Sequence, residues 1–299
     1  MIDPHQKKQL LTDGYVLLPA AVPRPLLERL QAMAARLEAD RLADYAAGRR
    51  NPHTAIFETA DGPVLERLDK LLEADRECAL DLLATPAMMA VAREFCGQGA
   101  VPLEMDVLFK RQHPNGYVIW HQGAQHSRRW PYLNVGVYLD DAPIDDGCLR
   151  YVPGTQGERQ DICGLSERFG WDIPDSVDIP AKAGDVLVQD MMVLHCSLPK
   201  RSPGLRRTVY IEIRPSQAVV ADESQSPEWA ELRRRWMSLV VDRARLEDWP
   251  SEWRAELPSV GQVDEEVSAI AERWEPPLPA HYCNRPVDHP SYPIPADLR

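Results

Sequence analysis

No run among the 299 residues approaches the roughly 20 consecutive apolar positions of a membrane-spanning helix, so no membrane partner is expected. The opening residues, MIDPHQKKQLLTDG, lack the apolar segment of a secretion signal, and a cytoplasmic location is the expectation. The six cysteines include no C-x-x-C pair or other zinc-like spacing, which argues for reduced thiols and against a structural zinc. Positive charge is in deficit: 34 Lys and Arg stand against 46 Asp and Glu, a net charge of -12. That surface argues against a nucleic-acid polymer as partner, while leaving room for a small basic pocket. No internal repeat is present. What the chain does have is 44% hydrophobic residues and enough length for a sizeable core.

Three zones follow within one domain spanning residues 1–299. Residues 1–100 read mainly as helix. In PRPLLERLQAMAARLEADRLADYA (23–46), Leu26, Leu27, Leu30, Met33, Ala34 and Leu37 recur at helical spacing, and Pro23 and Pro25 suit the helix entry. Pro86 restarts a second helical stretch and Gly97 ends it. Residues 101–216 change to short runs rich in Val, Ile, Leu and Tyr, among them EMDVLFKR, YLNVGVYL, CLRYV, DVLVQDMMVL and RTVYIEI. Turn signals such as HPNG and KAGD separate several of them. Many short strands without long helices between them predict a β-sandwich or barrel. Residues 217–299 return to helix, clearest in EWAELRRRWMSLVVDRARLEDW, and close on a stretch with seven prolines beyond residue 275. Two readings stand for that stretch: a segment packed back through Tyr282, Tyr292 and Ile294, or a free tail.

His121 ends one strand-like run and His195 another, and two imidazoles at neighbouring strand ends in a barrel can share a metal. The order of motifs is more specific than the pair. Trp120-His121-Gln122 is followed by Asp146-Gly147-Cys148-Leu149, Pro153-Gly154-Thr155, Gly184-Asp185-Val186, His195-Cys196-Ser197 and Arg206. With the opening LTDGYVLLPAAVP, this set resembles the phytanoyl-CoA dioxygenase family of iron(II)- and 2-oxoglutarate-dependent oxygenases, over residues 7 to about 215. The resemblance implies a mainly β core, a double-stranded β-helix of the jelly-roll or cupin kind flanked by N-terminal and C-terminal helices. It implies Fe(II) held by His121 and His195, with 2-oxoglutarate and O2 as co-substrates. Arg206 then grips the far carboxylate of 2-oxoglutarate through paired charge-assisted hydrogen bonds, assisted by Ser197. Strand alternation turns Arg207 to the opposite face. Lys110 and Asn134 are further candidates to touch the co-substrate, or are ordinary strand residues.

One residue departs from the pattern. Where the family carries a carboxylate two residues after the first His, this chain has Gly123. Three explanations compete. The protein is a silent metabolite-binding member; or His126 or Asp190 substitutes as ligand; or an exogenous anion fills the position. Chloride conserves the charge on the metal, and glycine is expected to leave it room. Halogenases of this class resemble the present chain in that departure, His-x-Gly or His-x-Ala. The third explanation is adopted: His121, Gly123 and His195 form a chlorinating centre, with Gly123 beside the halide.

Substrate residues are sought nearby. Arg128 and Arg129 follow the metal motif, with Trp130 next to them, and suggest a phosphorylated small molecule. Residues 157–176 form a candidate lid whose Phe169 and Trp171 are expected to stack on a ring. Lys200 and Arg201 add positive charge. Known halogenases of the resembling type act on carrier-protein thioesters, alkaloids, free amino acids and a nucleotide. The leading expectation is a purine deoxynucleotide monophosphate, 2'-deoxyadenosine monophosphate.

Overall fold

The computed structural model describes residues 2–114, 116–244 and 249–299. Asn115 of the HPNG turn and residues 245–248 of the last predicted helical run lie outside the described residues. Among the described residues twelve strands form two antiparallel sheets. They are β1 Tyr15–Leu18, β2 Thr54–Thr59, β3 Gly62–Leu68, β4 Ala100–Arg111, β5 Val118–Ala124 and β6 Leu133–Tyr138. Then follow β7 Leu149–Val152, β8 Val177–Ile179, β9 Val186–Asp190, β10 Leu194–Ser197, β11 Leu205–Pro215 and β12 Ala280–Tyr282. The larger sheet runs β1-β9-β6-β11-β4-β3-β2, the smaller β12-β5-β10-β7-β8. Two facing sheets with flanking helices are the expected jelly roll.

Alternation on the strands separates two environments. Val209, Ile211 and Ile213 on β11, Val135 and Val137 on β6, and Val186 and Val188 on β9 join the main apolar core. Helices Arg24–Ala46, Arg76–Leu83, Pro86–Val91 and Pro227–Ala244 bury Leu30, Leu37, Leu80, Val91 and Trp236 in that same core. Burying such a side chain contributes about 1.5–3 kcal/mol, and this layer fixes the larger sheet. The opposite, inward face of β11 carries Arg206, Thr208, Tyr210 and Glu212, so the polar residues are held between the sheets on a rigid support.

Three sequence expectations change. The N-terminal zone is not mainly helical throughout: β1 and the β2–β3 hairpin extend the larger sheet. The hairpin turns at Ala60-Asp61, and Gly62, which pairs with Thr59, has a φ of +109°, a backbone state that glycine adopts without a Cβ penalty. DVLVQDMMVLHCS is two strands, not one, because the chain turns at residues 191–193 and crosses from the larger sheet to the smaller. The Pro-rich end is packed, not free. Its β12 pairs with β5, Tyr292 is buried, and Cys283 is disulfide-bonded to Cys163. The expectation of reduced thiols therefore fails for this pair. The two cysteines are 120 residues apart, so no local spacing announces them.

Candidate active site

His121 and His195 stand directly opposite one another in the β5–β10 pairing, so both side chains leave the smaller sheet on one face. Their ring centroids are 4.1 Å apart, with the planes tilted by 48°. Each ring is oriented by its own strand: Nδ1 of His121 donates to the Ile119 carbonyl and Nδ1 of His195 to the Val193 carbonyl, both at 2.9 Å. That fixes Nε2 as the lone-pair nitrogen of both rings. Burial lowers the His121 pKa to about 4, and burial with the neighbouring His121 lowers that of His195 well below the usual value. Both imidazoles are therefore neutral near pH 7, the state in which they bind a metal.

A second cluster lies along the same interior. Arg206 on β11 and Lys110 on β4 are register partners and are no more than 1% exposed. Nη1 of Arg206 donates to Thr208 Oγ1 at 2.8 Å, while its Nε and Nη2 are buried without a partner. Tyr138 lies with its ring centroid 5.8 Å from the guanidinium carbon, and its hydroxyl is also unpaired. Orphaned donors of this kind cost about 1–3 kcal/mol each unless a ligand accepts from them. A dicarboxylate matches that demand, so these residues suit 2-oxoglutarate. Lys110 donates to Ser197 Oγ at 2.7 Å and to the Ser197 carbonyl at 3.0 Å. Burial, and then the charge of Arg206, push its pKa well down. Ser197 therefore serves Lys110 and the Gly147 carbonyl, not Arg206 as expected. Arg207 faces away and pairs with Asp140, as alternation requires.

Among the described residues no third His, Cys, Asp or Glu joins the histidine pair. Asp190 accepts from Arg128 at 3.0 and 3.1 Å and from the backbone N–H of Met192, and it faces away from the interior. His126 is buried against the Tyr132 ring, with neither nitrogen hydrogen-bonded and Nε2 4.0 Å from an Asp190 oxygen. Gly123 has a reason other than the expected one. A Cβ there would fall 2.5 Å from the Met191 carbonyl oxygen and 2.4 Å from its Sδ. The Gly123 N–H donates to that same carbonyl at 2.7 Å. Glycine is demanded by the close approach of two backbones, and the space on its Cβ side is filled by Met191 instead of being open to a halide.

The sequence-predicted substrate residues are not brought to the pair. Arg128 is neutralised by Asp190, and Arg129 is exposed with its guanidinium over Trp130, 4.6 Å from the ring centroid. Trp171 and Phe169 pack with Trp120, Leu194 and Cys196, on the face of the smaller sheet opposite His121 and His195. They are packing residues because the candidate lid, with its helix Ile162–Phe169, covers the outside of that sheet. Lys200 pairs with Asp146, and Arg201 with Asp145 and Asp297.

Other groups take the inner positions. Tyr282 of β12 stacks on His121, with centroids 4.7 Å apart and planes 8° from parallel. On the larger sheet, Asn134 has a buried Oδ1 without a partner and stands opposite both Gln189 and Glu212. Burial raises the carboxyl pKa of Glu212 to about 7 and of Asp106 to about 6. Glu212 accepts from the Tyr132 hydroxyl, and Asp106 pairs with Arg67. Sequence reading missed Gln189, Glu212 and Asp106, and took Tyr282 only as a packing residue of the Pro-rich end. A lone glutamine inside the apolar run VLVQD was a usable signal; for Tyr282 there was none beyond its aromatic character.

Residues 10–208 match the family model described as Phytanoyl-CoA dioxygenase. The chain is 29% identical to the Phytanoyl-CoA dioxygenase domain-containing protein 1 homolog of Dictyostelium discoideum over 115 residues, 33% of this chain and 41% of that protein. Among solved structures, EvdMO1 is similar with a TM-score of 0.60 and 28% identity, over 70% of this chain and 49% of its own. AviO1 from Streptomyces viridochromogenes Tue57 is similar with a TM-score of 0.59 and 28% identity, over 72% of this chain and 96% of its own. HygX from Streptomyces hygroscopicus, with nickel and 2-oxoglutarate bound, shares the fold at 19% identity and a TM-score of 0.56, over 72% of this chain and 88% of its own. The matches thus span less than half of the Dictyostelium protein and about half of EvdMO1.

Proposed function

The chain belongs to the phytanoyl-CoA dioxygenase family, and from that premise we propose that it is an iron(II)- and 2-oxoglutarate-dependent halogenase acting on a polar small molecule. One observation carries the proposal: two neutral, preoriented histidines on the smaller sheet and the orphaned Arg206 on the inward face of the larger sheet look into one interior, and no protein carboxylate joins the histidines among the described residues. His121 and His195 would hold the metal through Nε2. Arg206 would take the distal carboxylate of 2-oxoglutarate, with Thr208 holding one arm of its guanidinium. Iron and 2-oxoglutarate with O2 supply the oxidising power for attack on a C–H bond, and chloride supplies both the missing anionic ligand and the transferred atom. The chain's own task is placement. Tyr282 caps the His121 ring, and the strands fix both histidines; an error on the order of 1 Å in the target carbon would cost rate or outcome.

The substrate proposal is widened from the nucleotide. Its support lay in Arg128 and Arg129, which are engaged or exposed elsewhere. The inner wall offers Asn134, Asp106, Glu212 and Tyr282, acceptors and an aromatic surface that suit a substrate bearing hydroxyl or amine groups. A nucleotide monophosphate remains one of the compounds to test.

Anaerobic addition of Fe(II) and 2-oxoglutarate tests the centre. A visible charge-transfer band that shifts on adding chloride is expected, followed on oxygenation by products with a chlorine isotope pattern in mass spectrometry. A second reading, the silent binding member, is favoured by Met191 filling the space beside Gly123. A band that ignores chloride, or no band at all, would replace the first reading with the second.

A further inference from the structure

Gln189 lies on β9 and is 2% exposed. Its amide oxygen accepts the hydroxyl of Tyr151, which fixes which end of the amide faces inward. The NH2 end then lies 3.2 Å from Nε2 of His195. That nitrogen is the metal-binding one, because Nδ1 is committed to the Val193 carbonyl. Tyr151 is itself held, stacked on Tyr15 at 4.5 Å and facing His195 at 5.5 Å between centroids. The amide is therefore the polar group on the lone-pair side of His195. A metal that takes that lone pair displaces the amide by a short step and leaves its N–H beside the metal's neighbouring ligands.

Once His195 gives its lone pair to a metal, the Gln189 N–H loses its acceptor. A buried donor must be paired again, and among the described residues no carboxylate joins the histidines to serve. The Tyr151 hydroxyl holds the amide oxygen in place, so a flip that would bring the oxygen inward breaks a buried hydrogen bond. We propose that Gln189 donates to the exogenous halide and is the positioning residue that retains chloride beside His195. This rests on the halogenase reading above and adds the protein group that makes a halide site without a hole beside Gly123.

Wild type, Gln189→Leu and Gln189→Glu are loaded anaerobically with Fe(II) and 2-oxoglutarate, then titrated with sodium chloride while the charge-transfer band is followed. In Gln189→Leu the chloride midpoint is expected to rise about tenfold or more, the effect of one charge-assisted hydrogen bond, with the 2-oxoglutarate midpoint unchanged. In Gln189→Glu the band is expected to ignore chloride, since the protein now supplies its own anion. An unchanged chloride midpoint in Gln189→Leu, or a loss confined to 2-oxoglutarate, overturns the inference. So does a wild-type chloride response in Gln189→Glu, which decides the matter if the Leu variant does not fold by circular dichroism. If wild type itself shows no chloride response, the halogenase reading falls, and this inference with it.

Discussion

At the scale of single residues, Arg206 makes a definite demand: it is a fully buried guanidinium with two nitrogens lacking a hydrogen-bond partner. Its replacement by Leu is expected to weaken 2-oxoglutarate binding by 100-fold or more, on the order of 3 kcal/mol for a charged bidentate contact. Loss of the charge-transfer band at millimolar 2-oxoglutarate checks this, and a retained band would move the carboxylate site elsewhere. Glu212 gives a pH prediction. Burial holds its carboxyl at about 7, against about 4.3 in an unfolded chain. The folded state therefore keeps a proton that the unfolded state releases, so the contribution of this group to stability is greatest below pH about 4 and declines as pH rises through about 7. Asp106, raised to about 6, acts in the same direction. Glu212→Gln should flatten the decline in urea midpoint between pH 5 and 8; an unaltered slope would show that this carboxyl is not its source.

At the scale of elements, β5 and the β9–β10 crossing decide the site together. Gly123 is needed where β5 passes the Met191 carbonyl. Gly123→Ala should cost about 1–3 kcal/mol through overpacking, read as a lower thermal midpoint. Gly123→Asp should carry the same penalty and lose chlorination, because a carboxylate there competes with halide for the metal. Full retention of chlorination in that variant would contradict the proposed centre. The C-terminal segment is the other decisive element. β12 adds to β5, Arg285 pairs with Glu167, and Cys283 is bonded to Cys163 on the helix outside the smaller sheet. Cys163→Ser removes one of these ties. Limited proteolysis should then cut sooner beyond residue 273 in the variant than in wild type, and equal rates would mean that strand pairing alone holds the segment.

For the whole molecule, ligand binding and stability are linked. Anything that binds the folded chain alone stabilises it, by about 2.7 kcal/mol at one hundred times its dissociation constant. Fe(II) with 2-oxoglutarate should raise the thermal midpoint of wild type and leave that of Arg206→Leu nearly unmoved. Equal shifts in both would separate metal binding from the arginine cluster. The anionic surface stays compatible with a small-molecule substrate, since the guanidinium of Arg206 is sheltered between the sheets.

The sequence by itself determined the central strands, the helices that pack on them and the outward turn of Arg207, all of which follow from local periodicity. It named His121, His195 and Arg206 as candidates through a motif order that resembles the family's. Tertiary structure decided the rest. Whether Arg128 is free or paired depends on Asp190, 62 residues away. Whether Gly123 makes room for a halide or for a backbone depends on Met191. The pairing of Cys163 with Cys283, the stacking of Tyr282 on His121 and the aim of Gln189 at His195 are likewise set by strands that meet only after the sheets close. A contact between distant segments leaves no period in the sequence, because its geometry belongs to the packing of both partners and to neither alone.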